Sequence, residues 1–428
     1  MSKIVKSSTH SLRFANTNKQ AQVRAFLTEY NRAIWWFVDY LWTTRIEWAG
    51  RILDVSHNRL DVPTFISTVD IDFPSTLSAR AIKLASGEAI GIVKSQTAKR
   101  RRQLHVLSTK MSGGDVSSVR NLQKKIDSQP LIKPSRMRNS LFANLDSNCC
   151  KFIPEKTAEF DGYLKLHALG KSFGTIYLPI KFTRHSNKFQ SADYELMTSW
   201  QIGLDAVHSR WCGESQVPLG NRIVGADQGL TTCLSLSDGQ VTQKCRHGHD
   251  LSSIIADLGR KTKGSAGFRR AQNHRTNYIN WSINQLNLFG VSELRLEKLF
   301  QMRKGVRTSA ALNRWTYTQI NAQIISRCEA LGVRVVEQSA TYRSQRCSEC
   351  GWTHKPSRKG KEFTCTSCAC VIDADVNGAL NHEADLYRLP AGLWQQKLNK
   401  AGFFWTETGL FDSAGRELIV PDVDKVKT

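Results

Sequence analysis

Apolar residues recur three and four positions apart in TNKQAQVRAFLTEYNRAIWWFVDYLW (17–42), at Val23, Phe26, Leu27, Ala33 and Trp36, behind an opening threonine. That spacing predicts a long amphipathic helix. A strand-like stretch precedes it at 4–14, and a Pro- and Asp-punctuated loop follows at Asp61–Pro74. A second helical run covers 76–103 and closes on Lys99, Arg100, Arg101 and Arg102. Four cations there suit either a grip on phosphate or a solvated helix end favoured by the macrodipole. From about 150 the pattern changes to short β-rich segments, YLKLHAL (163–169), GTIYLPIKF (174–182) and LMTSWQIGL (196–204), separated by turn residues. They predict a small antiparallel β unit with no chemistry assigned to it.

A third pattern begins at NRIVGADQGLTTCLSLSDGQV (221–241), where Ile223, Val224 and Ala226 form a short apolar strand that ends on Asp227. TCLSLS returns as a second strand, closed by Asp238-Gly239. An acid at the edge of a buried hairpin is expensive unless it is paired or binds a metal. GVSELRLEKLF (290–300) repeats the arrangement, with Val291, Leu294 and Leu296 leading to Glu297. The stretch 312–338 then predicts a helix, with Trp315, Ile320, Ile324, Cys328 and Leu331 on one stripe, and a strand VRVVEQ. The order hairpin, helix, strand, helix, strand implies an α/β core with a mixed sheet.

The next segment carries the chemistry. Cys347, Cys350, Cys365 and Cys368 are spaced C-x2-C-x14-C-x2-C, two knuckles that can face one tetrahedral zinc ion. Four thiolates close such a site, so a structural role is expected of it. Cys370 is an extra thiol, and Cys245, His247 and His249 form a second cluster without a matching pair. Directly after the second knuckle come Asp373 and Asp375, with Asn377 at the start of a predicted helix. Carboxylates at three places, Asp227, Glu297 and the Asp373/Asp375 pair, are what two Mg2+ ions require for an in-line phosphoryl displacement.

Bulk properties narrow the partner. Sixty Lys and Arg against 37 Asp and Glu give a formal charge of +23 over 428 residues, which points to nucleic acid. The length implies two to four structural units. No stretch approaches the ~20 apolar residues of a membrane span, and the opening MSKIVKSSTHSLRF lacks the pattern of a signal peptide. A reducing, cytoplasmic setting is therefore expected, with the eleven cysteines as thiols or ligands.

GADQG around Asp227, RLEKL around Glu297, RSQRCSECG (343–351) and DADVNGALN (373–381) resemble the split RuvC motifs and zinc ribbon of the transposon-associated TnpB proteins and the miniature type V CRISPR effectors. The resemblance is strong over about 220–385; upstream it covers only the architecture. It implies an RNase H-like RuvC core at 221–342 and 373–390, with an inserted zinc ribbon at 343–372 and a C-terminal tail at 391–428. It also implies a wedge-like β-barrel at 1–16 and 150–220, interrupted by a helical recognition lobe at 17–149. By the same resemblance the catalytic, Mg2+-binding acids are Asp227, Glu297 and Asp375, with Asp373 a neighbour. The sequence departs from the family at GADQG, where Gly-Ile-Asp-Leu-Gly is usual, and at CAC, where Cys-Gly usually ends the second knuckle. Neither departure removes a ligand.

The implied function is RNA-guided cleavage of DNA beside a short flanking motif, with two catalytic Mg2+ and one structural Zn2+. The implied partners are a guide RNA, double-stranded target DNA and the RNA–DNA heteroduplex, with tryptophans stacking on bases. One or two protein copies would serve one guide, and the protein would join the nucleoid when bound to DNA. The rival readings are a guide-dependent DNA-binding repressor that does not cut and an unguided RuvC-type nuclease.

Overall fold

The computed structural model describes residues 3–52, 73–112, 116–128, 133–135, 141–190, 192, 194–218, 220–299, 314–390 and 393–418. The chain divides into two compact units, Val5–Gly213 and Met1–Ile4 with Glu214–Thr428.

In the first unit, strand β1 (Lys3–Ser11) leads into α1 (Thr17–Ile52), followed by α2 (Ala79–Ser112) and α3 (Val116–Asp127). Val23, Phe26, Leu27 and Ala33 of α1 are buried as their spacing predicts, and Trp36 is partly buried. Ala81, Ala85 and Ala89 recur every fourth residue on α2 and are fully buried in the core shared with α1, small side chains that permit close helix packing. The predicted loop at 61–74 lies outside the described residues apart from Phe73 and Pro74.

The second helix does not end at 103. It runs to Ser112 because Leu104 and Leu107 continue its apolar stripe onto Ile126 of α3. Arg100 is buried and donates to the Ile126 carbonyl at 3.1 Å, so the basic run lies inside a helix, away from the terminus where a macrodipole would favour it.

The strands of this unit are β2 (Phe142–Leu145), β3 (Cys150–Pro154), β4 (Gly162–Leu166) and β5 (Ile176–Ile180), then α4 (Arg184–Gln190), β6 (Glu195–Gly203) and β7 (Ala206–Glu214). Described residues form two sheets, β1-β7-β6-β2 and antiparallel β3-β4-β5. Leu164, Leu166, Leu178, Trp200, Ile202 and Val207 project from them into one core with α1 and α2.

The second unit holds β8 (Arg222–Asp227), the short β9 (Ser235–Leu236), α5 (Leu251–Arg260), α6 (Ala266–Gln285), β10 (Val291–Lys298), α7 (Tyr317–Leu331) and β11 (Arg334–Ser339). The sheet order is β11-β10-β8-β9, parallel except for β9, which is the mixed sheet expected of the element order. Beyond it lie β12 (Trp352–Thr353), β13 (Arg358–Lys359), β14 (Glu362–Thr364), β15 (Val371–Asp373) and helix α8 (Ala374–Glu383). Last come β16 (Phe403–Trp405) and β17 (Leu410–Phe411). β16 pairs with β12, placing Trp352 opposite Phe404. Part of the stretch read as a tail is therefore built into the knuckle, and it buries Leu393, Phe403, Trp405 and Leu410 with Tyr342.

Helix α8 lies directly on β8, and two glycines permit it. A Cβ on Gly225 would sit 1.9 Å from the Ala379 carbonyl oxygen, and one on Gly378 would sit 3.0 Å from the Asp227 carboxyl. At Gly225 the backbone of α8 excludes a side chain, whereas at Gly378 a side chain would push the Asp227 carboxyl aside by a few tenths of an ångström. Among the described residues no helix is long and apolar enough to cross a membrane.

Candidate active site and metal centre

β8 and β10 are adjacent and parallel, with Ala226 opposite Leu296, so the next residue on each strand delivers a carboxylate to the same end of the sheet. These residues are Asp227 and Glu297. Asp375, in the first turn of α8, reaches the same place: its Oδ2 would lie 3.0 Å from a Cβ on Gly229 of the Asp227 loop. Asp227 and Asp375 are buried, and Glu297 is half-buried. Burial first, then the Glu297 and Asp375 carboxylates, push Asp227 well above the ordinary aspartate range. Burial likewise holds Glu297 up at about 7. Clustered acids that resist ionisation together form a set of hard oxygen donors whose repulsion a divalent cation would relieve.

Asp373 is placed differently. It is exposed, and its side chain accepts from the Asp375 and Val376 amides at 2.9 and 3.1 Å, which makes it the N-cap of α8. Asp375 meets two cations from the knuckle: Lys361 Nζ and Arg358 Nη2, the latter at 3.2 Å from Oδ1. Lys361 also donates to Thr232 at 3.0 Å. Two of the cations in the loop at 355–361 are thus aimed at this acid.

The four predicted cysteines converge. Sγ of Cys347 lies 3.7 Å from that of Cys368, and Sγ of Cys350 lies 3.6 Å from that of Cys365. Tetrahedral thiolates about 2.3 Å from one zinc ion would stand about 3.8 Å apart, so the spacing fits zinc. Cys370 is outside this group, and so are Cys245, His247 and His249 among the described residues.

What joins knuckle to acid is a polar clamp. Asn377 and Asn381, one turn apart on α8, both donate to the Arg346 carbonyl, at 2.8 and 2.7 Å. Asn377 Oδ1 accepts from the Ser348 amide at 2.9 Å, and Arg346 donates to Asn381 Oδ1 at 2.6 Å and to the Trp405 carbonyl at 2.7 Å. Sequence reasoning noted Asn377 but missed Asn381 and Arg346. The four-residue spacing of the asparagines was a signal that could have found them. Asn381→Ala removes one buried hydrogen bond at the Arg346 carbonyl and one at its guanidinium, each of which keeps another partner in Asn377 or the Cys347 carbonyl, and its cost should be about 1–3 kcal/mol in total in a denaturant melt. A change within 0.5 kcal/mol, roughly that of a neutral surface substitution, would mean that the clamp does not hold the knuckle to α8.

His382 is buried in the same cluster as Asp227 and Glu297, where burial and Arg343 press it down to about 3. Five of the eleven tryptophans, Trp200, Trp211, Trp315, Trp352 and Trp405, are buried core residues, unavailable for stacking on bases. Trp281 is 37% exposed.

Fold and site together define an α/β protein that carries a carboxylate cluster beside a four-cysteine centre. Residues 317–382 match the family model "Cas12f1-like, TNB domain". The chain is 31% identical over 147 residues to a CRISPR-associated endodeoxyribonuclease Cas12f1 of Sulfoacidibacillus thermotolerans, covering 34% of each protein. It is 28% identical over 191 residues to InsQ of Escherichia coli K12, named as a candidate RNA-guided DNA endonuclease, covering 37% of this chain and 48% of that one. The chain thus spans between a third and a half of the length of these relatives. Superposed on a Cas12f1–sgRNA–target DNA complex it gives a TM-score of 0.39 at 13% identity, over 89% of this chain and 99% of that one. Over these segments the chain is similar to Cas12f1 and InsQ, in line with the resemblance its motifs carry.

Proposed function

We propose that this protein is an RNA-guided DNA endonuclease that cuts target DNA beside a short flanking motif. The convergence of Asp227, Glu297 and Asp375 at one end of a parallel sheet carries the reading. The names of the curated relatives support it, as does a formal charge of +23. In this reading 221–342 and 373–390 form an RNase H-like RuvC core, and 343–372 a zinc ribbon. Residues 17–149 form the recognition lobe, and 1–16 with 150–220 the wedge.

The three carboxylates would hold two divalent ions, which supply Lewis-acid stabilisation of the attacking and leaving oxygens. Asp227 and Glu297, on rigid adjacent strands, fix the donor geometry. Lys361 and Arg358 neutralise Asp375 until substrate arrives, and their charges then lie where a phosphate would enter. The four cysteines, with zinc, hold the hairpin that carries those two cations. The clamp from Asn377 and Asn381 to Arg346 keeps that hairpin in register with the helix bearing Asp375.

Guide exchange tests the proposal. Purified protein should carry RNA, and replacing only the targeting segment of that RNA should redirect cleavage of a plasmid library to the new complement. Because backbone contacts release counterions, guide binding should weaken steeply as salt rises. Cutting at sites that no guide can move would leave an unguided nuclease. Redirected binding without cleavage would leave a repressor.

A further inference from the structure

Besides the acids, one group faces the site that the proposed chemistry does not use. Asp375, Gly378 and His382 lie at positions i, i+3 and i+7 of α8, on the stripe that packs against β8. Helical side chains lean toward the N-terminus, so the His382 ring is carried back toward Gly378, whose missing side chain leaves room for Asp227. One donor atom each from Asp227, Glu297 and His382 lie within 4.8 Å of one another. His382 is 1% exposed, and its Nδ1 is buried with no hydrogen-bond partner. A buried polar nitrogen without a partner calls for an explanation, and a ligand position supplies one. Asp375 is not part of this group; its oxygens are turned to Lys361 and Arg358.

We propose that Asp227, Glu297 and His382 form a mixed nitrogen–oxygen site for a first-row transition ion, Mn2+ in the simplest case, with the imidazole nitrogen as a direct ligand. Mg2+ prefers oxygen donors alone, whereas imidazole suits transition metals. The histidine therefore sets metal choice at this end of the sheet. The inference rests on the reading of Asp227 and Glu297 as metal ligands and is independent of guided cleavage.

The test is metal binding by the full chain with its zinc retained. Mn2+ titrations followed by electron paramagnetic resonance give the affinity, and electron spin echo modulation detects a coordinated imidazole nitrogen. The parent should bind Mn2+ with nitrogen modulation. His382→Leu should lose the modulation and about ten- to a hundredfold in Mn2+ affinity while Mg2+ affinity, from calorimetry, changes less than about threefold. His382→Gln keeps a polar side chain and serves if the leucine variant does not fold; it should give the same loss. Mn2+ bound without nitrogen modulation, or Mn2+ and Mg2+ weakened equally by both variants, would overturn the proposal. If Asp227→Asn abolishes binding of both ions while the His382 variants bind normally, the acid reading stands and this inference falls. A parent that binds neither ion removes both.

Discussion

If the proposed reading holds, alanine at Asp227, Glu297 or Asp375 should each abolish target cleavage, by at least about a thousandfold, while guide-directed DNA binding should stay within a few-fold of the parent. Each substitution deletes an oxygen donor at the sheet end, and only Asp375→Ala also frees two cations, Lys361 and Arg358, which remain in place to meet phosphate. Stability separates this from unfolding. Asp227 and Glu297 have folded-state pKa values raised by burial, so the stability each contributes is fully present below its unfolded pKa. That contribution is lost as pH rises through the folded value, about 7 for Glu297. The metal-free parent should therefore lose stability from pH ~4.5 to ~8. Asp227→Ala, freed of a buried charge, should melt no lower than the parent at pH 8. Asp373→Ala removes only a helix cap, costing about 0.5–2 kcal/mol, and should still cut. Cleavage surviving in the Asp375 variant and lost in the Asp373 variant would reverse the assignment. Calorimetric melts across the pH range and a plasmid nicking assay measure both halves.

Disrupting the four-cysteine centre should be nearly as severe. Structural zinc contributes on the order of 10 kcal/mol to the fold of a small module, and the β13-β14-β15 hairpin has little else to hold it. Its buried side chains are few, with Phe363 the largest. The parent should contain one tightly held zinc per chain by elemental analysis, and Cys365→Ser/Cys368→Ser none. In that variant the hairpin should become protease-sensitive, with Lys361 and Arg358 released from Asp375. Cleavage should then collapse although all three acids remain. A full equivalent of zinc in the double variant would place the ion elsewhere, with Cys245, His247 and His249 the next set to test.

Where local pattern dictates structure, the sequence was enough. The stripe of Val23, Phe26, Leu27 and Ala33 made α1 legible, because a 3.6-residue period admits one buried face. Alternating apolar residues ahead of Asp227 and Glu297 placed both acids at strand ends, and the cysteine spacing brought four sulfurs to one point. The charge of +23 pointed to a polyanion before any element was placed. What the chain alone left open depends on contacts between distant segments. Asp373 and Asp375 are equal on paper; the helix start makes one a cap and turns the other inward. Arg100 reads as a surface cation until α3 supplies Ile126 as its partner. Residues 403–411 carry no motif, yet they pair with the knuckle. His382 joins Asp227 and Glu297 only because Gly225 and Gly378 let α8 lie flat on β8. Periodicity, spacing and charge are properties of the chain itself, whereas burial and the pairing of a carboxylate, a histidine or an arginine are properties of whatever the tertiary fold brings beside it.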